Sequence, residues 1–169
     1  YELSDGHAIW CGPTGARGSG SNLLGGAVVG FDPDVEEAGV DTGYALEPGT
    51  LRAPDVAVGN VPDAPGWVKG APSLAIEYAD GGQDEAELKA KIQELLEAGS
   101  RWVWVVRLSG PRRVEVHARG EAVRTLGSGD ELTAPGVLRN AVRVEALYER
   151  EAAREAVLRN LLQRAGYED

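Results

Sequence analysis

Two short apolar runs in the middle of the chain each carry a carboxylate: RAPDVAVGNV, Arg52 to Val61, and APSLAIEYAD, Ala71 to Asp80. Both read as strands, the first started by Asp55 and the second ended by Glu77. An acid among apolar strand residues is costly unless it is paired or binds a metal. In DEAELKAKIQELLEAG, Leu88, Ile92, Leu95 and Leu96 recur at helical spacing, which predicts a helix over Asp84 to Ala98 stopped by Gly99. The apolar run WVWVV follows. A helix between two apolar strands predicts a right-handed crossover and a parallel pair.

The flanks are less regular. YELSDGHAIWCG predicts a strand pair around the Asp5-Gly6 turn. PTGARGSG, Pro13 to Gly20, reads as a loop, and SNLLGGAVVGF, Ser21 to Phe31, as a weak helix capped by Ser19 or Ser21 and weakened by Gly25 and Gly26. Asp32 to Gly39 reads as a solvated acidic turn. Two strands flank the turn Glu47-Pro48-Gly49, and Val61 to Gly70 is a connection anchored by Trp67. RWVWVVRL and RRVEVHARG predict a hairpin around Ser109-Gly110-Pro111, with one or two short strands beyond. From about Glu145 the chain turns helical and charged. Its apolar stripe of Ala153, Val157, Leu158, Leu161, Leu162 and Ala165 fits either a dimer-forming helix or one packed on its own domain.

Composition narrows the classes. The chain has 169 residues, 43% hydrophobic, which fits one domain with a sizeable core. No apolar run approaches the ~20 residues of a membrane helix. There is no signal-peptide pattern. The single Cys11 gives no sign of an oxidising compartment, so a cytoplasmic location is expected. Cys11 reads as a small apolar residue after Trp10. No methionine occurs, even at the start, which points to a trimmed chain. His7 and His117 lack Cys or His companions, which argues against zinc. The Gly-rich loop lacks the Lys-Ser/Thr ending of a phosphate-binding loop, and the acidic turn lacks EF-hand spacing. The net charge of −10 argues against nucleic-acid binding by charge alone. Arg52, Arg101, Arg107, Arg112 and Arg113 are candidates for a local basic patch, with scattered solvated charges as the plainer reading.

RAPDVAV, KGAPSLAIEYAD and AELKAKIQELLEAGSRWVWVV, in this order, resemble the PD-(D/E)XK nuclease superfamily, and more narrowly the Uma-type family of restriction-endonuclease-like proteins. The resemblance continues weakly from YELSDG to Ala134-Pro-Gly-Val137 and into the charged tail LLQRAGYED. It implies an α/β (α+β) fold: a restriction-endonuclease-like mixed central sheet flanked by helices, with a charged C-terminal helix. The expected division is a domain over 1–148 and a helical extension over 149–169. Asp55 and Glu77 should lie on adjacent strands, about one strand spacing of ~5 Å apart, and share one Mg²⁺ or Mn²⁺ with the Tyr78 backbone carbonyl.

In most of the superfamily the lysine lies two residues after the glutamate, and here that residue is Ala79. In the Uma-type family it lies on the following helix, where counting back from Gly99 gives Lys91. On a helical wheel Lys89 and Lys91 both flank the apolar stripe. From the residues alone, Lys91 reads as an i,i+4 partner of Glu87 on a wet face. The family usually has a His where Gly18 stands, often a Ser at Asp80, an Asp at Arg107 and an acid at His7. The resemblance thus implies a metal-dependent endonuclease acting on nucleic acid, with DNA as the expected substrate, no membrane partner and a homodimeric assembly. The catalytic residues would be Asp55, Glu77 and Lys91. The alternative is a catalytically degenerate copy acting as a homodimeric binding or scaffold protein. A small-molecule enzyme has no motif in its favour.

Overall fold

The structure is a computed structural model that describes residues 1–167. Glu168 and Asp169, the end of the charged tail, lie outside the described residues. The first half of the described chain runs β1 (Glu2–Ser4), β2 (His7–Ile9), α1 (Ala16–Gly30), β3 (Ala38–Val40), β4 (Tyr44–Glu47), β5 (Thr50–Arg52), β6 (Val56–Val58), β7 (Val68–Lys69) and β8 (Leu74–Ala79). The second half runs α2 (Glu85–Glu97), β9 (Trp102–Arg107), β10 (Arg113–His117), β11 (Arg124–Gly127), β12 (Glu131–Leu132), β13 (Val142–Arg143), a 3₁₀ turn (Val144–Leu147) and α3 (Arg150–Arg164).

The central sheet has the order β11-β10-β9-β8-β6-β3, and a second sheet has the order β2-β1-β5-β4-β7. β8 and β9 pair in parallel, as the α2 crossover requires, and β6 runs antiparallel to β8. The central strands are covered on both faces, which is why they read as continuous apolar runs rather than alternating ones. On one face α1, α3 and the 3₁₀ turn pack against Leu74, Ile76, Trp104 and Val106. On the other, Leu88, Ile92, Leu95 and Leu96 of α2 pack against Ala75, Ala79, Val103 and Val105.

Several local expectations need correction. The Gly-rich loop ends at Gly15: α1 begins at Ala16, and no side chain caps it, so neither Ser19 nor Ser21 is its N-cap. Gly25 has a packing role, because a Cβ there would come 2.0 Å from the Tyr78 hydroxyl. That hydroxyl donates to the Leu147 carbonyl at 2.7 Å, so the tyrosine threads between α1 and the 3₁₀ turn. Asp32 is buried rather than solvated, and accepts the amides of Asp34, Arg139 and Asn140 at 2.9–3.0 Å. Asn140 in turn donates to Asn160, and Asn160 donates to the Val28 carbonyl, tying α1 to α3. Buried polar groups satisfied in this way fix how the two helices meet. The face of α3 turned to the domain is Ala153, Ala156, Val157 and Asn160; Leu158, Leu161 and Leu162 stay exposed. Trp67 is 47% exposed, with its ring set against Gly43.

Candidate active site

Side-chain alternation along β8 sends Leu74, Ile76 and Tyr78 toward α1 and Ala75, Glu77 and Ala79 toward α2. Glu77 is therefore buried under α2, inside β8 and ahead of its end. Asp55 sits immediately before β6. The β6–β8 register pairs Val56 with Ile76, so the next opposed pair is Asp55 with Glu77. Asp55 Oδ2 accepts the Tyr78 amide at 2.7 Å. That amide, rather than the Tyr78 carbonyl, is the group seen engaged here.

α2 presents two lines to the rest of the domain. Its leucine and isoleucine stripe meets the central sheet, and Glu87, Lys91 and Glu94, spaced by four and three residues, face the second sheet. Lys91 completes the run Leu88, Lys91, Ile92, Leu95 and is buried, whereas Lys89 is exposed. The wet-face reading of Lys91 is thus wrong, and its supposed partner Glu87 bonds Arg52 instead. Lys91 Nζ donates to the Ala53 carbonyl at 3.0 Å and lies 3.1 Å from Glu77 Oε1 and 3.2 Å from Glu2 Oε1. Arg52 is fully buried and donates to Glu94 at 2.7 Å as well as to Glu87. It locks β5 to α2 and belongs to no surface patch. Arg107 is likewise held by Glu85 and Glu115.

Glu2 was not singled out by the sequence. Its Oε1 accepts the Ala53 amide at 2.8 Å and its Oε2 faces the Cys11 thiol at 3.1 Å. The available signal is that Glu2 and Ser4 share one face of β1, and Ser4 Oγ donates to Glu94. Cys11 is an exposed thiol rather than a packed apolar residue.

Charge in this cluster is unevenly distributed. Burial dominates at Glu77 and pushes its pKa to about 8, against the pull of Lys91 and with a push from Asp55. Burial also raises Asp55, partly offset by the Tyr78 amide and by Lys91. At Glu2 burial again works upward, but Lys91, the Ala53 amide and Cys11 together hold it low. Lys91 is raised: burial opposes its charge, and Glu77, Glu2 and Asp55 outweigh that opposition. Lys91 thus keeps its charge among Glu2, Asp55 and Glu77, and burial favours the protonated form of Glu77.

Glu2, Asp55 and Lys91 of this cluster line a cleft of about 770 Å³, together with Asn22, Asp41, Gly43 and Trp67, and Glu77 lies buried behind Lys91. Glu77 Oε1 is buried and, although close to Lys91 Nζ, has no aligned hydrogen-bond donor. That orphaned oxygen beside Asp55 is a hard-oxygen donor pair that suits Mg²⁺ or Mn²⁺. Among the described residues no group of three or more His, Cys, Asp or Glu is placed to hold a metal ion, so an ion here would draw on these two carboxylates alone among the side chains. Mg²⁺ commonly keeps its remaining positions for water and substrate oxygens.

The sequence model of the Uma2 family, described as putative restriction endonuclease, matches residues 1–146. The chain belongs to the Uma2 family. A solved structure described as a putative nuclease belonging to DUF820, from Anabaena variabilis ATCC 29413, has the same fold, with a TM-score of 0.74 over 90% of each chain at 14% identity. Among curated proteins none matches this chain. No helix among the described residues is long and apolar enough to cross a membrane. Of the positions singled out in the sequence, Gly18 is buried in α1, whereas Asp80, Arg107 and His7 are exposed or half-buried. Asp80 pairs with Arg17 and accepts from Ser109 at 3.0 Å, and Arg107 bridges two glutamates. His7 is exposed on the edge strand β2.

Proposed function

We propose that this Uma2 protein is a divalent-metal-dependent nuclease whose centre is Asp55, Glu77 and Lys91, with DNA as substrate. The observation that carries the reading is that Lys91 and Asp55 line the cleft while Glu77 lies buried 3.1 Å behind Lys91, opposite Asp55 on the neighbouring strand. A buried lysine between carboxylates is expensive and adds nothing to the packing that an apolar residue would not supply. Asp55 and Glu77 would hold Mg²⁺ or Mn²⁺ with the Tyr78 carbonyl, and the ion when bound supplies positive charge to the phosphate and to the attacking water. Glu77 must give up its proton to serve as a ligand, so loading releases a proton near neutral pH. Lys91 keeps its charge, held in place by Glu2 and the Ala53 carbonyl, and offers it to the oxygens on which negative charge develops. Glu2 acts as a positioning residue for that lysine.

The acidic balance of the cleft favours a second reading, a catalytically degenerate copy acting as a homodimeric scaffold. Leu158, Leu161 and Leu162 on α3 are the exposed surface that a homodimer would cover in either case. Cleavage of end-labelled DNA with Mg²⁺ or Mn²⁺ separates the two. Metal-dependent cleavage that Glu77→Gln abolishes supports the nuclease; a parent inert with every metal supports the scaffold.

A further inference from the structure

The cleft has a wall that hydrolysis does not need. Trp67 lines it and is 47% exposed. One face of its indole lies on Gly43: a Cβ there would come 2.6 Å from Cε3. The backbone on either side is held, with the Val68 amide donating to the Gly43 carbonyl at 2.8 Å and the Gly70 amide to the Ala45 carbonyl at 3.0 Å. Glycine at 43 thus makes a close seat for the ring, which stays half-exposed in the cleft. Trp10, 70% exposed, turns the tip of its ring to Gly12, which also lines the cleft.

Charge points the same way. Glu2, Asp41 and Asp55 line the cleft against one cation, Lys91. A duplex held by its phosphates needs several lysines or arginines, because its affinity comes from counterion release. A strand whose bases are unpaired adds to its backbone contacts the stacking of bases on fixed aromatic faces, a gain that the already stacked bases of a duplex do not offer. We propose that Trp67 is a stacking platform for an unpaired base, which makes single-stranded rather than duplex DNA the substrate class of this site. This inference rests on the nuclease reading of the same cleft.

Fluorescence anisotropy tests it, with a fluorescein-labelled single-stranded 12-mer and the matching hairpin duplex, in Ca²⁺ to screen the carboxylates. The single strand should bind more tightly than the duplex. Trp67→Ala should weaken single-strand binding about 5- to 150-fold, and Trp67→Phe should retain most of it. Gly43→Ala, which displaces the indole without removing it, should weaken binding as Trp67→Ala does. Equal or tighter duplex binding, or single-strand binding unchanged in Trp67→Ala, overturns the proposal. Duplex preference with metal-dependent cleavage intact would remove the stacking site and leave the nuclease. Trp67-dependent single-strand binding with no cleavage under Mg²⁺ or Mn²⁺ would do the reverse.

Discussion

Replacing Lys91 by Met keeps the length of the side-chain stem and removes the charge. Three contacts go with it: the Ala53 carbonyl at 3.0 Å, Glu77 Oε1 at 3.1 Å and Glu2 Oε1 at 3.2 Å. Burial favours the protonated form of Glu77, which can shed its charge, whereas Glu2, only 8% exposed and held low in pKa, is left as a buried carboxylate without its cation. Removing one partner of a buried pair costs about 3–5 kcal/mol, since the other charge stays buried without compensation. Against a typical total of about 5–15 kcal/mol, that is a large fraction. In urea at neutral pH with EDTA, the unfolding midpoint of Lys91→Met should fall by at least about 1 M relative to the parent. Adding Glu2→Gln should recover part of the loss, leaving the double variant about 1–3 kcal/mol better than the sum of the singles. A loss below about 1 kcal/mol, or strict additivity with Glu2→Gln, would place Lys91 on a solvated helix face and remove the reasoning that joins it to the site.

Other outcomes follow from the same contacts. Without metal, stability should fall as pH rises from about 5 to above 8. The folded chain keeps the Glu77 proton up to about 8 while the unfolded chain has released it near 4.5, so this contribution is full below 4.5 and lost through 8. Glu77→Gln should flatten that slope in pH-dependent urea titrations. Asp55→Asn should abolish the rise in melting temperature given by Mg²⁺ or Mn²⁺ while leaving the apo protein as stable or more so, because burial already disfavours its charge. Arg52→Met should cost about 3–5 kcal/mol by denaturant unfolding, since it strands Glu87 and Glu94, whereas Lys89→Ala should stay within about 0.5 kcal/mol. If α3 mediates a homodimer, Leu158→Glu with Leu161→Glu should sediment as a monomer.

Much of the site was legible because its strands are apolar on both faces. In such strands Asp55 and Glu77 stand out, and α2, with its Asp84 cap and Gly99 stop, could be delimited almost to the residue. The register between β6 and β8 is a long-range property, and only the structure sets Asp55 opposite Glu77. Lys91 was ambiguous because it was weighed as a polar residue flanking the stripe. Its spacing of three from Leu88 and four from Leu95 puts it inside the buried arc. Glu2 was overlooked, and Arg52 and Asp32 misjudged, for a common reason: each is a charged residue buried by partners more than thirty positions away, or by backbone amides, which periodicity does not report. α1 was started too late because Gly-rich sequence reads as loop, and the contact that requires Gly25 comes from Tyr78, fifty-three residues on.

The central claim is that Asp55 and Glu77 jointly hold a divalent cation beside Lys91. Crystals soaked in Mn²⁺ at pH 8.5, where Glu77 has released its proton, test it through the anomalous signal of the metal. The account predicts one strong peak bonded to a carboxylate oxygen of each residue, at about 2.0–2.3 Å, with Lys91 still on Glu2. A peak elsewhere, or none at saturating Mn²⁺ with Lys91 still against Glu77, would contradict it.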